Sequence, residues 1–178
     1  EIANEAAELT VFQRTPNFAA PLGNEPVDLA QRRWNAEHHA ELRAGSRQHM
    51  IGVPYDPPSG PALAATPDER RRIFDKYWDR GGFRLLVSTF SDVIFNQQAN
   101  ETIAEYIRER IRERVKDPAT AALLCPTDHP YASKRPPFET GYYEAYNLPH
   151  VHLVDVRSAP IEAITPTGVR TSSKSYEF

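Results

Sequence analysis

Apolar positions follow two patterns in this chain: short β-rich runs towards either end, and helical stripes between them. Glu8 to Arg14 (ELTVFQR) is apolar at Leu9, Val11 and Phe12, which reads as a buried parallel strand. Residues 1–7 before it read as the end of a helix, and Pro16 and Pro21 after it keep the chain extended. A first long helix is predicted from Leu29 to Arg47, with Asp28 as its N-cap. Its apolar positions are sparse: Leu29, Trp34, Leu42 and a few alanines. The second helix has sharper boundaries. Thr66-Pro67-Asp68-Glu69 is a capping box with proline at the first helical position, and Gly81-Gly82 supplies the stop. Ile73, Phe74, Tyr77 and Trp78 share the face that packs inward.

The third helix is predicted from Gln97 to Lys116. Ile103, Ile107, Ile111 and Val115 form a narrow apolar stripe, and Glu105–Arg108, Glu109–Arg112 and Glu113–Lys116 stand at i, i+3 on the solvated face. Asp117-Pro118 then opens a short fourth helix ending near Leu124. Val151 to Val156 reads as a second buried strand. Ile161 to Ile164 and Gly168 to Thr171 read as a hairpin around Pro166-Thr167-Gly168. The resulting plan is strand, helical excursion, strand, hairpin: an α/β fold.

Composition narrows the function classes. At 178 residues the chain is one domain, or one domain with a subdomain, long enough for a genuine core. A net charge of −3, with bases interleaved among acids, argues against a nucleic-acid or anionic-membrane partner. No apolar run approaches the ~18 residues that span a bilayer. The single Cys125 fits a reducing cytoplasm and reads as a buried apolar thiol. Sixteen prolines exceed the usual ~5%, and Pro54 to Pro67 reads as a long irregular connection.

The candidate chemistry centres on Ser133 to Asn147 (SKRPPFETGYYEAYN). Lys134 and Arg135 stand ahead of two prolines and beside Tyr142, Tyr143 and Tyr146, an arrangement suited to an anion. Alone, such a pair reads as a solvated surface feature. Its company changes that reading. Val11 to Phe18 (VFQRTPNF) stands upstream, and Val151 to Ser172 (VHLVDVRSAPIEAITPTGVRTS) stands downstream. In this order and at these separations the three blocks resemble the flavin-dependent Baeyer–Villiger monooxygenases, cyclohexanone and phenylacetone monooxygenases among them. The resemblance runs over essentially the whole chain and is looser in the helical middle. The family's two Gly-rich dinucleotide fingerprints and its His/Trp linker fingerprint are not found here: the eight glycines contain no G-x-G-x-x-G. The chain therefore reads as an internal piece of a larger enzyme.

The resemblance implies a partial Rossmann-like NADP-binding domain with a helical insertion and a C-terminal β-hairpin. Residues 1–25 and 128–178 belong to the NADP-binding domain on this reading, and 26–127 to the insertion. NADPH is the implied coenzyme. FAD is held by a domain of the same polypeptide outside this chain, and a ketone and dioxygen are the substrates, converted to an ester or lactone through a flavin peroxide. The piece alone is expected to be inactive. Arg14 ends the first strand, where an Arg suits the 2′-phosphate of NADP, with a guanidinium fork that matches phosphate oxygens. Thr15 adds a hydroxyl donor. Lys134 matches the family lysine that meets the same phosphate as a point charge, and Arg135 matches the catalytic arginine that stabilises negative charge beside the flavin. Preorganised stabilisation of that kind is worth ~3–4 kcal/mol per donor.

Other residues are weaker candidates. His38 and His39 point apart on a helix, and His150 and His152 lack a third ligand at suitable spacing, so no metal site is expected. His129 reads as loop structure, and Asp155 as a turn partner. Glu139 and Tyr143 either line the site or hold the loop. Two other functions compete: a related monooxygenase acting on nitrogen or sulfur, and a non-catalytic helical interaction module.

Overall fold

The computed structural model describes residues 1–49, 51–53 and 55–178. They form two compact units, one made of 1–19 with 104–178 and the other of 20–103.

In the first unit, α1 (Ile2–Glu5) leads into β1 (Leu9–Gln13), which pairs in parallel with β4 (Val151–Asp155), Leu9 opposite Val151 and Gln13 opposite Asp155. The predicted parallel strand is present, but not as a fully buried one. All five β1 residues are half-buried, and only Val151 of β4 is buried. Among the described residues each strand has one hydrogen-bonded neighbour, so neither is covered as a central strand would be. β5 (Ile161–Thr165) and β6 (Gly168–Thr171) form the predicted antiparallel hairpin, and β7 (Ser175–Glu177) extends it to three strands. Gly168 is required there, because a Cβ would stand 1.9 Å from the Tyr176 carbonyl oxygen. Edge-to-face packing of Phe12 on Tyr176, 5.0 Å between ring centres, docks this sheet against β1.

Much of the first unit's core comes from helices. The part of α6 (Gln97–Arg114) from Ala104 onward belongs to this unit, and its Ile107 and Ile111 are fully buried, continued by Val115. Glu105 pairs with Arg108 as predicted, and also with Arg112, and Glu113 pairs with Arg110; Arg108, expected on the solvated face, is instead buried and donates through Nε to the Pro126 carbonyl at 2.7 Å. α7 (Pro118–Leu124) is capped by Asp117, whose carboxylate accepts from the Thr120 N–H at 2.8 Å. Cys125 is buried as expected, and burial pushes its thiol up. The two-residue strand β3 (Phe138–Glu139) and the short helix α8 (Tyr142–Ala145) follow the Lys134–Arg135 loop.

In the second unit, β2 (Ala20–Pro21) precedes α2 (Leu29–Glu37) and α3 (His39–Gln48), where one helix was expected. The Asp28 cap is present, accepting from Ala30 N–H. The break falls at His38, where the Trp34 carbonyl accepts from the backbone N–H and the imidazole Nδ1 also bonds it at 2.9 Å. The ring stacks on Trp34, 4.3 Å away. Neither helix buries a residue, so no packed stripe opposes this local side-chain bond.

α4 (Pro67–Arg80) has both halves of its capping box: Glu69 N–H to Thr66 Oγ1, and Thr66 N–H to Glu69 Oε2. Phe74, Tyr77 and Trp78 are buried on one face, each contributing about 1.5–3 kcal/mol. Gly81 ends the helix at φ 64°, where a Cβ would meet Gly23 N at 2.5 Å. The proline-rich connection is held in place: Ser59 bridges Phe90, Asp92 accepts from Ala62 N–H, and Tyr77 donates to Asp56. It includes a turn of 3₁₀ helix (Ala62–Ala64) and is followed, after α4, by α5 (Arg84–Val87). Pro54 lies outside the described residues. No helix among the described residues is long and apolar enough to cross a membrane.

Candidate functional site

β1 delivers Arg14 and Thr15 to an open cleft of 660 Å³ in the first unit. Together with Pro16 and Asn17 they line one side, and Pro137, Phe138, Glu139, Thr140 and Tyr142 line another. Arg14 is exposed, and its guanidinium makes no hydrogen bond or ion pair among the described residues. A permanent cation with unspent donors at a cleft is suited to an anionic ligand.

Lys134 and Arg135 do not line this cleft. They stand exposed on the loop that feeds into Pro137 and Phe138. The loop is tightly turned. Ser133 bonds the Pro130 carbonyl through both its N–H and its hydroxyl, and Ala132 is held at φ 66°, the one positive φ of a non-glycine residue among the described residues. Such a conformation persists where its surroundings enforce it, and is common at ligand sites.

Asn17 joins the two segments. Its Nδ2 donates to the Arg135 carbonyl at 3.2 Å, and its Oδ1 accepts from Phe18 N–H at 2.9 Å and meets His129 Nε2 at 3.2 Å. The His129 side chain is only 8% exposed. Its Nδ1 lies 2.6 Å from Asp128 Oδ1 and 3.4 Å from Lys134 Nζ, and its ring packs edge-on against Phe18. The hydrogen bond from His129 holds the Asp128 carboxyl below the usual range, and Arg157 stands 3.5 Å from the same carboxylate.

A second network fixes the far side of the cleft. Arg114 Nη1 and Nη2 bond both Glu139 oxygens at 2.7 and 3.2 Å, Nη2 also reaches Glu144 at 2.8 Å, and the guanidinium lies over the Tyr143 ring at 5.1 Å. Glu139 also accepts from Tyr142 N–H at 2.9 Å. Glu139 therefore lines the cleft and holds the loop, with both carboxylate oxygens engaged. Tyr143 is buried, and burial raises its hydroxyl. The Arg114 hydrogen bond keeps Glu144 below the usual glutamate range.

Asn17, Asp128, His129 and Arg114 were not among the predicted site residues. Asn17 and His129 meet across 112 positions of sequence, a proximity that no local pattern carries. The Asp128-His129 pair just ahead of Lys134 was the available signal. Elsewhere, His150 bonds the Ala3 carbonyl and His152 bonds Glu8. Asp155 accepts from Arg157 N–H, as a turn partner does.

Comparison with known proteins places this arrangement. Over 178 residues the chain is 38% identical to 2-oxo-Δ3-4,5,5-trimethylcyclopentenylacetyl-CoA monooxygenase of Pseudomonas putida, covering 99% of the chain and 32% of that protein. It is 37% identical over 169 residues to a Baeyer–Villiger monooxygenase of Pseudooceanicola batsensis, covering 94% and 31%. A crystal structure of OTEMO in complex with FAD and NADP superposes with a TM-score of 0.96 at 37% identity, over 99% of the chain and 33% of that protein. The chain is homologous to one segment of the Baeyer–Villiger monooxygenases. It spans about a third of the length of the relatives it matches. No family profile matches it. The likeness reaches beyond proteins named for that reaction: a phenazine N-monooxygenase of Lysobacter antibioticus is 38% identical over 167 residues, covering 93% of the chain and 30% of that protein. The Baeyer–Villiger resemblance drawn from the three sequence blocks thus extends through the helical middle as well.

Proposed function

We propose that this chain supplies the coenzyme-binding part of an FAD- and NADPH-dependent Baeyer–Villiger monooxygenase that inserts oxygen into a small ketone to give an ester or lactone. The observation that carries this reading is the match of nearly the whole chain to OTEMO in complex with FAD and NADP. The parallel β1–β4 pair then belongs to a Rossmann-like domain, to which residues 1–25 and 128–178 contribute, while 26–127 form the insertion. A cytoplasmic setting suits the coenzyme and the reduced Cys125.

When bound, NADPH supplies the reducing equivalents and FAD activates dioxygen. The residues of this chain bind and stabilise charge. Arg14, exposed at the end of β1, grips the 2′-phosphate as a fork, and Thr15 adds a hydroxyl donor. Lys134 meets the same phosphate as a compact charge. Arg135 presents a permanent guanidinium to negative charge that develops during oxygenation. Charge-assisted hydrogen bonds of this kind are worth about 1.5–3 kcal/mol each. In the full-length enzyme Arg14→Ala is therefore expected to weaken NADPH about 10- to 100-fold while leaving NADH nearly unchanged. Steady-state kinetics with both coenzymes test this, and an unaltered preference would remove Arg14 from the phosphate site.

The similarity to a phenazine N-monooxygenase supports a second reading, oxygen transfer to a heteroatom with the same coenzyme role. Offering cyclic ketones and an aromatic N-heterocycle to the full-length enzyme separates the two: lactone supports the first, N-oxide the second.

A further inference from the structure

The Lys134 ammonium has an acid close at hand, and what stands between them is a histidine that the coenzyme reading does not use. Asn17 fixes how that ring is read. Its Oδ1 accepts from Phe18 N–H and its Nδ2 donates to the Arg135 carbonyl, so the amide orientation is set by two backbone partners. His129 Nε2, facing Oδ1 at 3.2 Å, is therefore the donor of that bond. Its other nitrogen, Nδ1, faces Asp128 Oδ1 at 2.6 Å and Lys134 Nζ at 3.4 Å. With a proton, Nδ1 donates to Asp128 and occupies the carboxylate; without one, it accepts from Lys134. In neither state does Lys134 hydrogen-bond Asp128, although its charge still helps hold that carboxyl down. Arg157, on the other carboxylate oxygen, takes up more of the acid's charge.

We propose that His129 is a positioning residue that keeps Asp128 from capturing Lys134, so that the ammonium charge stays available to the coenzyme's 2′-phosphate. This rests on the reading of Lys134 as a phosphate-binding residue. A buried side chain suits the task, since the ring is wedged edge-on against Phe18 and tied to Asn17 and cannot swing aside without breaking both contacts. Were the ring nitrogens removed, the carboxylate and the ammonium would pair directly. A charge already neutralised by a neighbour has less to offer a phosphate.

The experiment measures dissociation constants of NADP⁺ and NAD⁺ for the full-length enzyme by isothermal titration calorimetry, so that the readout is binding and not turnover. His129→Phe keeps the ring volume and removes both nitrogens. Its expected effect is a loss of NADP⁺ affinity of about tenfold with NAD⁺ affinity nearly unchanged. Adding Asp128→Asn to His129→Phe should restore most of that loss, because no acid is left to capture Lys134. If His129→Phe does not fold, His129→Gln compared with Asp128→Asn/His129→Gln is read in the same way. Equal losses for both coenzymes, or no recovery on adding Asp128→Asn, would overturn the proposal and leave His129 a packing residue. Lys134→Ala serves as the reference. If it lowers NADP⁺ affinity while His129→Phe does not, only the role of His129 falls. If Lys134→Ala changes neither affinity, the phosphate reading of Lys134 fails, and this inference with it.

Discussion

Lys134 and Arg135 are adjacent, carry the same charge and are both exposed, yet their surroundings differ. The Lys134 side chain meets His129, whereas Arg135 is anchored through its backbone carbonyl by Asn17. An anchored backbone with a planar cation beyond it is suited to a fixed electrostatic task. Arg135→Ala in the full-length enzyme is therefore expected to abolish oxygenated product while flavin reduction by NADPH persists. Arg135→Lys should recover only part of the activity, because an ammonium does not reproduce the planar fork. Stopped-flow absorbance, following flavin reduction separately from reoxidation in oxygen, distinguishes these outcomes. Near-normal ketone oxidation by Arg135→Ala would leave the loop with a coenzyme-binding role alone. The position of Arg14 and Thr15 at the end of β1 was legible from sequence because a strand end announces itself by composition. The Asn17–His129 contact was not, since it exists only once two distant segments meet.

Elements with chemical punctuation at their ends form where the sequence places them. α4 has its capping box, α7 its Asp117-Pro118 start, and α6 its run of buried isoleucines. Thr66→Ala removes the acceptor of Glu69 N–H and one arm of the box, and is expected to lower stability by about 1 kcal/mol. Urea denaturation followed by circular dichroism measures this, and an unshifted midpoint would mean that the box contributes nothing to stability. The α2–α3 region was misread as one helix for the complementary reason. It contains no proline and no glycine near the break, and its sparse apolar positions bury nothing. A bond from the His38 ring to the Trp34 carbonyl then decides where the helix ends. Strand burial was overstated on similar grounds: an apolar run reports the capacity to be covered, and the number of neighbouring strands sets how much cover there is.

Across the whole molecule, acids held by neighbouring hydrogen-bond donors shape the response to pH. Asp56 is held below its usual range by Arg80, Asp128 by His129 and Glu144 by Arg114. Each folded-state value lies below its unfolded one, so the unfolded chain binds more protons in acid. The stability these groups contribute is complete above the ordinary carboxylate range and is lost as pH falls through and below it. The urea midpoint is accordingly expected to drop between about pH 5 and about pH 3, and a midpoint constant over that interval would show these pairs to be energetically idle. The β1–β4 pairing has a kinetic consequence as well. Leu9 meets Val151 only after the intervening chain, including the entire 20–103 unit, has been spanned. Closing a loop of roughly 140 residues costs on the order of 4 kcal/mol beyond a constant, whereas α4 and α6 close through contacts a turn apart and carry no such cost. During synthesis β1 emerges before β4 and remains without this partner until residues 151–155 have left the ribosome. Arg14, the first proposed coenzyme contact to be made, is thus among the last to be set in place.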